Sequence, residues 1–189
     1  MKCIKILMTI FCFYLFGCNK TTQTNNFAFD KDAVGKLTSK TLISAIDSLY
    51  PTDSIVKRNS NNAFLSSNGE IEIFDASGDK LLIIEPTSKS TETNTIKSIQ
   101  IIDPRFTTKN GISIASTFKE LKEAFPISKI NNTLSTAVVF IDSLNAYVTI
   151  DKKFLPIAYR NNTDLKIEAN SIADSAKIKH FWIQWNDIK

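Results

Sequence analysis

Ile112-Ser113-Ile114-Ala115-Ser116-Thr117-Phe118-Lys119-Glu120-Leu121-Lys122-Glu123-Ala124-Phe125-Pro126 decides how this chain is read, because an earlier stretch has the same build. That stretch is Leu37-Thr38-Ser39-Lys40-Thr41-Leu42-Ile43-Ser44-Ala45-Ile46-Asp47-Ser48-Leu49-Tyr50-Pro51. Phe118, Leu121 and Phe125 recur at helical spacing in one, and Leu42, Ile46 and Leu49 in the other. Side chains three and four apart share a helix face, so each stretch predicts a short amphipathic helix. Thr117 and Glu120 have capping-box spacing, in which hydroxyl and carboxylate each satisfy a main-chain donor at the helix start. Pro126 and Pro51 end the helices, since proline lacks a donor and crowds the preceding turn. A self-similar segment of this size signals one supersecondary unit used twice.

Strands are expected outward from each proline. In the first unit they are Ala63-Phe64-Leu65, the hairpin pair Asn68-Gly69, then Glu70 to Phe74. In the second, Ala137 to Ile141 leads through a turn near Ser143 to Ala146 to Ile150. Each second strand ends in an aspartate, Asp75 or Asp151, read as a turn initiator that bonds its own backbone. A third strand follows at Lys80 to Ile84 and at Phe154 to Tyr159, and a last one at Ile96 to Ile101 and Ile178 to Ile183. Loop insertions account for the drift between copies. The short connections make neighbours antiparallel, because parallel neighbours need a long crossover. One helix per unit covers one sheet face and leaves the other open. The fold class expected is α+β: a tandem duplication of a helix followed by about four antiparallel strands. It would form one curved eight-stranded sheet or two four-stranded sheets, with helices on one face.

Composition fits such a body. The 189 residues are 43% hydrophobic and 22% charged, which places the chain among ordinary globular proteins rather than disordered ones. The formal net charge of +4 is spread among interspersed acids and bases, which argues against a nucleic-acid surface. Met1-Lys2-Cys3-Ile4-Lys5 is a short basic start, and Ile6 to Phe16 is apolar except for Thr9. That is signal-peptide length and too short to span a bilayer. The expected organisation is a signal peptide at 1–17, Cys18 and a polar tether at 18–32, a first repeat at 33–103 and a second at 104–189. All three cysteines, Cys3, Cys12 and Cys18, lie at or before the expected cut, so no thiol chemistry is expected in the body.

Leu15-Phe16-Gly17-Cys18 followed by polar Asn19-Lys20-Thr21-Thr22 resembles the lipobox of bacterial lipoproteins. The resemblance implies cleavage before Cys18 and acylation of it, so that fatty chains such as palmitate hold the protein on a membrane. Asn19 is not the acidic retention residue of that family, and no acidic run follows Cys18, which implies a periplasm-facing outer-membrane position. Asp103-Pro104-Arg105-Phe106-Thr107-Thr108-Lys109-Asn110-Gly111 running into Ile112 to Phe118 resembles envelope lipoproteins common in Bacteroidota-type bacteria. The helix-then-strands unit is also similar to the β-lactamase-inhibitor-protein fold and to the SmpA/BamE-type lipoproteins of outer-membrane assembly. Those relatives imply binding through an open sheet face and no catalytic residues.

The residues offer little chemistry. His180 is the only histidine, so a two-histidine metal site is excluded. Glu70 and Glu72 alternate in one strand and read as solvated charges opposite Ile71 and Ile73. Asp75-Ala76-Ser77-Gly78-Asp79 lacks the remaining ligands of a calcium loop. With five glycines in the chain there is no phosphate-cradling loop. The best binding hint is aromatic: alternation places Phe181 and Ile183 in the core, matching Ile99 and Ile101, and puts Trp182 and His180 on the other face. Tyr147 shares that face. Tyr147, His180 and Trp182 are therefore the candidate partner-binding residues, and Cys18 the lipid-attachment residue. The function expected is a non-enzymatic, membrane-anchored envelope lipoprotein that binds or assembles an envelope protein, without cofactor, metal or nucleic acid. The alternatives are a lipid or glycan held between the two units and, third, a hydrolase built from the scattered Asp and Glu residues, which would need two of them close and buried in a cleft.

Overall fold

The structure is a computed structural model and describes residues 26–58, 69–88 and 94–185. A small ribbon of β1 (Ala33–Val34) and β2 (Leu37–Thr38) precedes a single antiparallel sheet. That sheet takes β3 (Ser54–Arg58), β4 (Glu70–Phe74), β5 (Lys80–Pro86) and β6 (Ile96–Ile101) from one half. From the other half it takes β7 (Lys129–Asn132), β8 (Thr136–Ile141), β9 (Ala146–Asp151) and β10 (Ile178–Gln184). Its order is β3-β4-β5-β6-β10-β9-β8-β7. The halves meet at their last strands, and the order read outward from β6·β10 is the same on both sides.

The register at that seam follows from the same symmetry. Ile99 faces Ile183, Ile101 faces Phe181 and Gln100 faces Trp182. Sequence matching makes Gln100 and Trp182 equivalent, and a two-fold axis through the seam pairs equivalents with each other. The segments leading into the helices are tied down alike as well. Ile43 N–H donates to Asn94 O and Phe118 N–H to Ala176 O, both at 2.8 Å. Leu42 bridges Thr95 as Thr117 bridges Lys177.

The helices differ, so the expected matching pair is not seen. The first is a 3-10 turn (Ile43–Ala45) running into one α turn, α1 (Ile46–Leu49), with no side-chain cap. The second is α2 (Phe118–Ala124), with the complete Thr117–Glu120 capping box. Leu42 stands where Thr117 does and has no oxygen to offer. Phe125, just before Pro126, is extended, as a residue preceding proline must be to avoid its ring.

The middle strands correct the sequence reading. Ile73 faces Leu82 as Ile141 faces Ala146, so Glu70–Phe74 corresponds to Thr136–Ile141 rather than to Ala146–Ile150. Asp75 and Asp151 therefore occupy non-equivalent strand ends. Each does start a turn, accepting from Ser77 N–H at 3.0 Å and from Lys153 N–H at 2.9 Å. The run Phe154 to Tyr159 is not a strand. It is divided between a 3-10 turn (Lys152–Phe154) and α3 (Ile157–Arg160), with Pro156, which cannot donate to a ladder, between them. The missing strand is β7, whose counterpart β3 pairs with β4 as β7 does with β8. Ala63-Phe64-Leu65 lies outside the described residues.

Alternation puts Ile73, Leu82, Ile99, Phe181, Val148 and Val139 on one sheet face, where Ile46, Phe118 and Leu121 from the helices join them in a single core. Phe29 is buried edge-on to Phe181 at 5.1 Å, and Phe27 edge-on to Phe106 at 5.1 Å. The phenylalanines at the end of the expected tether thus lie on the body. Trp185 fastens the same segment by donating its indole N–H to Lys31 O at 2.8 Å.

Candidate functional site

Away from the core, one transverse row crosses all eight strands. Val56 faces Glu72, Glu72 faces Ile83, and Ile83 faces Gln100. Gln100 faces Trp182, which faces Tyr147, which faces Phe140, which faces Lys129. Directly opposed side chains on one face sit about 5 Å apart at Cβ and must pack. Tyr147 and Trp182 accordingly lie with centroids 6.0 Å apart and planes only 12° apart. Phe140 follows at 5.9 Å from Tyr147, and the Lys129 ammonium sits 5.9 Å from the Phe140 ring. The three rings are half-buried and stand apart from the core cluster.

Polar groups border the rings. His180 lies beside Trp182 on this face, and its Nδ1 is 2.9 Å from the Thr149 hydroxyl. Burial, with the charge of Lys179, lowers the imidazole below its ordinary 6.5, so it is neutral at pH 7. Burial and then the Glu85 carboxylate push the Tyr147 phenol up to about 12, so it stays a hydrogen-bond donor. Glu85 accepts from Ser98 Oγ at 2.7 Å and pairs with Lys97 at 3.2 Å. The site can thus offer stacked ring area with neutral donors at its border. It brings together the three residues the sequence singled out and adds Phe140, Thr149 and Gln100. Phe140 was missed because Ala137 to Ile141 is apolar on both faces; its alternation with Val139 and Ile141 was the available signal. Cys18 lies outside the described residues.

Asp103 and Asp75 are engaged by one cation. Arg105 bonds Asp103 through Nε at 3.0 Å and reaches Asp75 through Nη2. Burial pushes Asp103 up, and the Arg105 bonds more than reverse it, leaving it below the ordinary range. Asp75 is held far lower by the Ser77 hydroxyl and Arg105. Two carboxylates locked to one guanidinium do not supply the separated acid and base a hydrolase needs. Among the described residues no group of three or more His, Cys, Asp or Glu could hold a metal ion. On the core side of the seam, Ile99, Ile101, Phe181 and Ile183 are fully buried.

The class these features define is an α+β protein with one eight-stranded antiparallel sheet, helices and ribbon on one face, and an aromatic row on the other. No family model and no curated protein matches the chain. Among solved structures, the crystal structure of the uncharacterized protein yfeY from Escherichia coli is similar, with a TM-score of 0.54. The identity is 14%, over 84% of this chain and 99% of that one, so the likeness is one of fold.

Proposed function

We propose that this chain is a lipid-anchored envelope protein, non-enzymatic, that binds an envelope protein partner through the outer face of its second half. The carrying observation is the Phe140–Tyr147–Trp182 row, three rings in contact on the face opposite the core. Large amphipathic rings that stay clear of the core supply interface area at low cost in side-chain entropy, which is why tryptophan and tyrosine dominate binding hot spots. Neutral Tyr147 and His180 add donors without a charge to desolvate. The anchoring half of the reading rests on Leu15-Phe16-Gly17-Cys18, and an outer-membrane position facing the periplasm follows from Asn19. Among the described residues no helix is long and apolar enough to cross a membrane.

The test is crosslinking and pull-down of the full chain from its own envelope. Trp182→Ala should lower capture of a specific protein by roughly tenfold or more, as hot-spot truncation does, while Lys119→Ala, an exposed position on α2, leaves it unchanged. Recovery of no protein that Trp182→Ala weakens sinks the binding reading. Cys18→Ser should move the folded body from the membrane to the soluble fraction. Retention of that variant on the membrane sinks the anchoring reading independently.

A further inference from the structure

The two edges of the sheet are built differently, and the β7 edge is the one that can accept another strand. β3, the opposite edge, is exposed except at Ile55 and guarded by charges: Lys57 pairs with Asp47 at 2.8 Å and Arg58 with Glu72 at 2.9 Å. Charged edges of this kind block unwanted pairing. β7 has one lysine in four residues, and its last three are half-buried.

A groove of about 410 Å³ runs beside β7, with Ile127 to Asn131 on one wall and Lys166 to Ala169 on the other. Among the described residues β7 pairs only with β8, so its outward main-chain groups face the groove. Across it, Lys166, Ile167 and Glu168 belong to no helix or strand, and the main chain of Lys166 and Ile167 makes no hydrogen bond within the described residues. The segment is nevertheless held in place: Ile167 is 2% exposed, and Asn132 Nδ2 donates to Asn162 O and Leu165 O, at 2.8 and 3.0 Å. Two fixed walls with open main-chain groups call for an occupant that offers main-chain groups on both of its own edges. An extended polypeptide does so at every second residue.

We infer that the groove between β7 and residues 166–169 binds an extended peptide segment of another protein as a ninth strand. Main-chain pairing to β7 supplies affinity, and alternate side chains reach Ile127, Ile130 and Ile167 on the inner side. Lys129 and Lys166 flank the groove. Lys166 is already paired with Glu168 at 2.8 Å, so Lys129 is the cation that favours an acidic residue in the incoming strand. This site shares Lys129 with the end of the aromatic row, where its ammonium lies over the Phe140 ring, but none of the three rings lines it, so it stands whether or not those rings bind a partner.

The probe is a fluorescein-labelled peptide of alternating glutamate and valine, titrated into the full chain in detergent, beside a twin N-methylated at alternate residues. The twin keeps every side chain and loses the donors of one edge. Binding of the first peptide and at least roughly tenfold weaker binding of the twin is the expected result. Hydrogen exchange should show the peptide protecting amides in 127–132 and 166–169, and none in β3. Ala169→Trp, which fills the groove, should weaken binding by a similar factor, and Trp182→Ala should leave it unchanged. No binding at millimolar peptide overturns the inference. So does equal binding of the twin, protection at β3 or the aromatic row, or edge-to-edge dimerisation that excludes the peptide.

Discussion

The two halves of the sheet share one plan and carry opposite outer faces. In the row Glu72–Ile83–Gln100, the first half holds an ion trio: Glu72 is bonded by Lys80 at 2.7 Å and by Arg58 at 2.9 Å. The equivalent positions of the second half are Phe140, Tyr147 and Trp182. On the core side, by contrast, the equivalents stay alike: Ile73 and Ile141, Leu82 and Ala146, Ile99 and Phe181 are all apolar and buried. Close packing holds the shared side to apolar residues, while outer positions diverge at little cost. Function is therefore to be sought in the divergence, and the second half is where large rings have replaced ions.

The largest effect tests whether the halves are thermodynamically one body. Phe181 is fully buried at the seam and touches Phe29, so Phe181→Ala should cost about 3–5 kcal/mol, with one unfolding transition in urea. A second transition, or a loss confined to one half by hydrogen exchange, would break the picture of a common core. A middling effect comes from the first residues of the two helices. Thr117→Ala removes the side-chain cap of α2 and should cost about 1 kcal/mol. Leu42, its exposed counterpart, lacks a cap, so Leu42→Thr should gain about 0.5 kcal/mol. Opposite shifts in thermal midpoint would show that the helix starts differ chiefly in the cap; a loss of stability in Leu42→Thr would show that they differ in packing too.

How much of this was legible in the sequence follows from what each element buries. β6 and β10 alternate cleanly because one face is core, and that alternation alone makes Trp182 the counterpart of Gln100. The edge strands carry almost no strand signal. Lys129-Ile130-Asn131-Asn132 and Ser54-Ile55-Val56-Lys57-Arg58 bury little, and a strand that buries little leaves little hydrophobic signature. Phe154 to Tyr159 misled for the opposite reason. A short apolar run reads equally as strand or helix, and only Pro156 spoke against the ladder. Counting that segment as a strand matches Glu70–Phe74 one strand too far along the second half. The faces of Tyr147 and His180 were legible. The contact between the rings was not, because it depends on register across three strands.

The smallest effect sets His180 against the carboxylates by pH. His180, in the second half, is held below its ordinary 6.5 by burial and by Lys179. Folding then opposes its protonation, so its contribution is full above 6.5 and is lost as pH falls through the lower folded value. In the first half, Glu72 is lowered chiefly by Lys80, with Arg58 adding to it, and Asp75 and Asp103 are held down by the bonds described above. Their contributions are full above their ordinary values of 4.5 and 3.8, and disappear only as pH falls through still lower folded values. Stability should therefore decline in two windows, an upper one owed to His180 in the aromatic half and a lower one owed to carboxylates of both halves, since Glu120, Asp151 and Asp174 are lowered as well. His180→Gln should flatten the slope that sets in as pH falls below 6.5 and leave the acid limb in place. An unchanged upper slope would mean that His180 senses no burial, and with it that the face around Trp182 is wetter than its packed rings require.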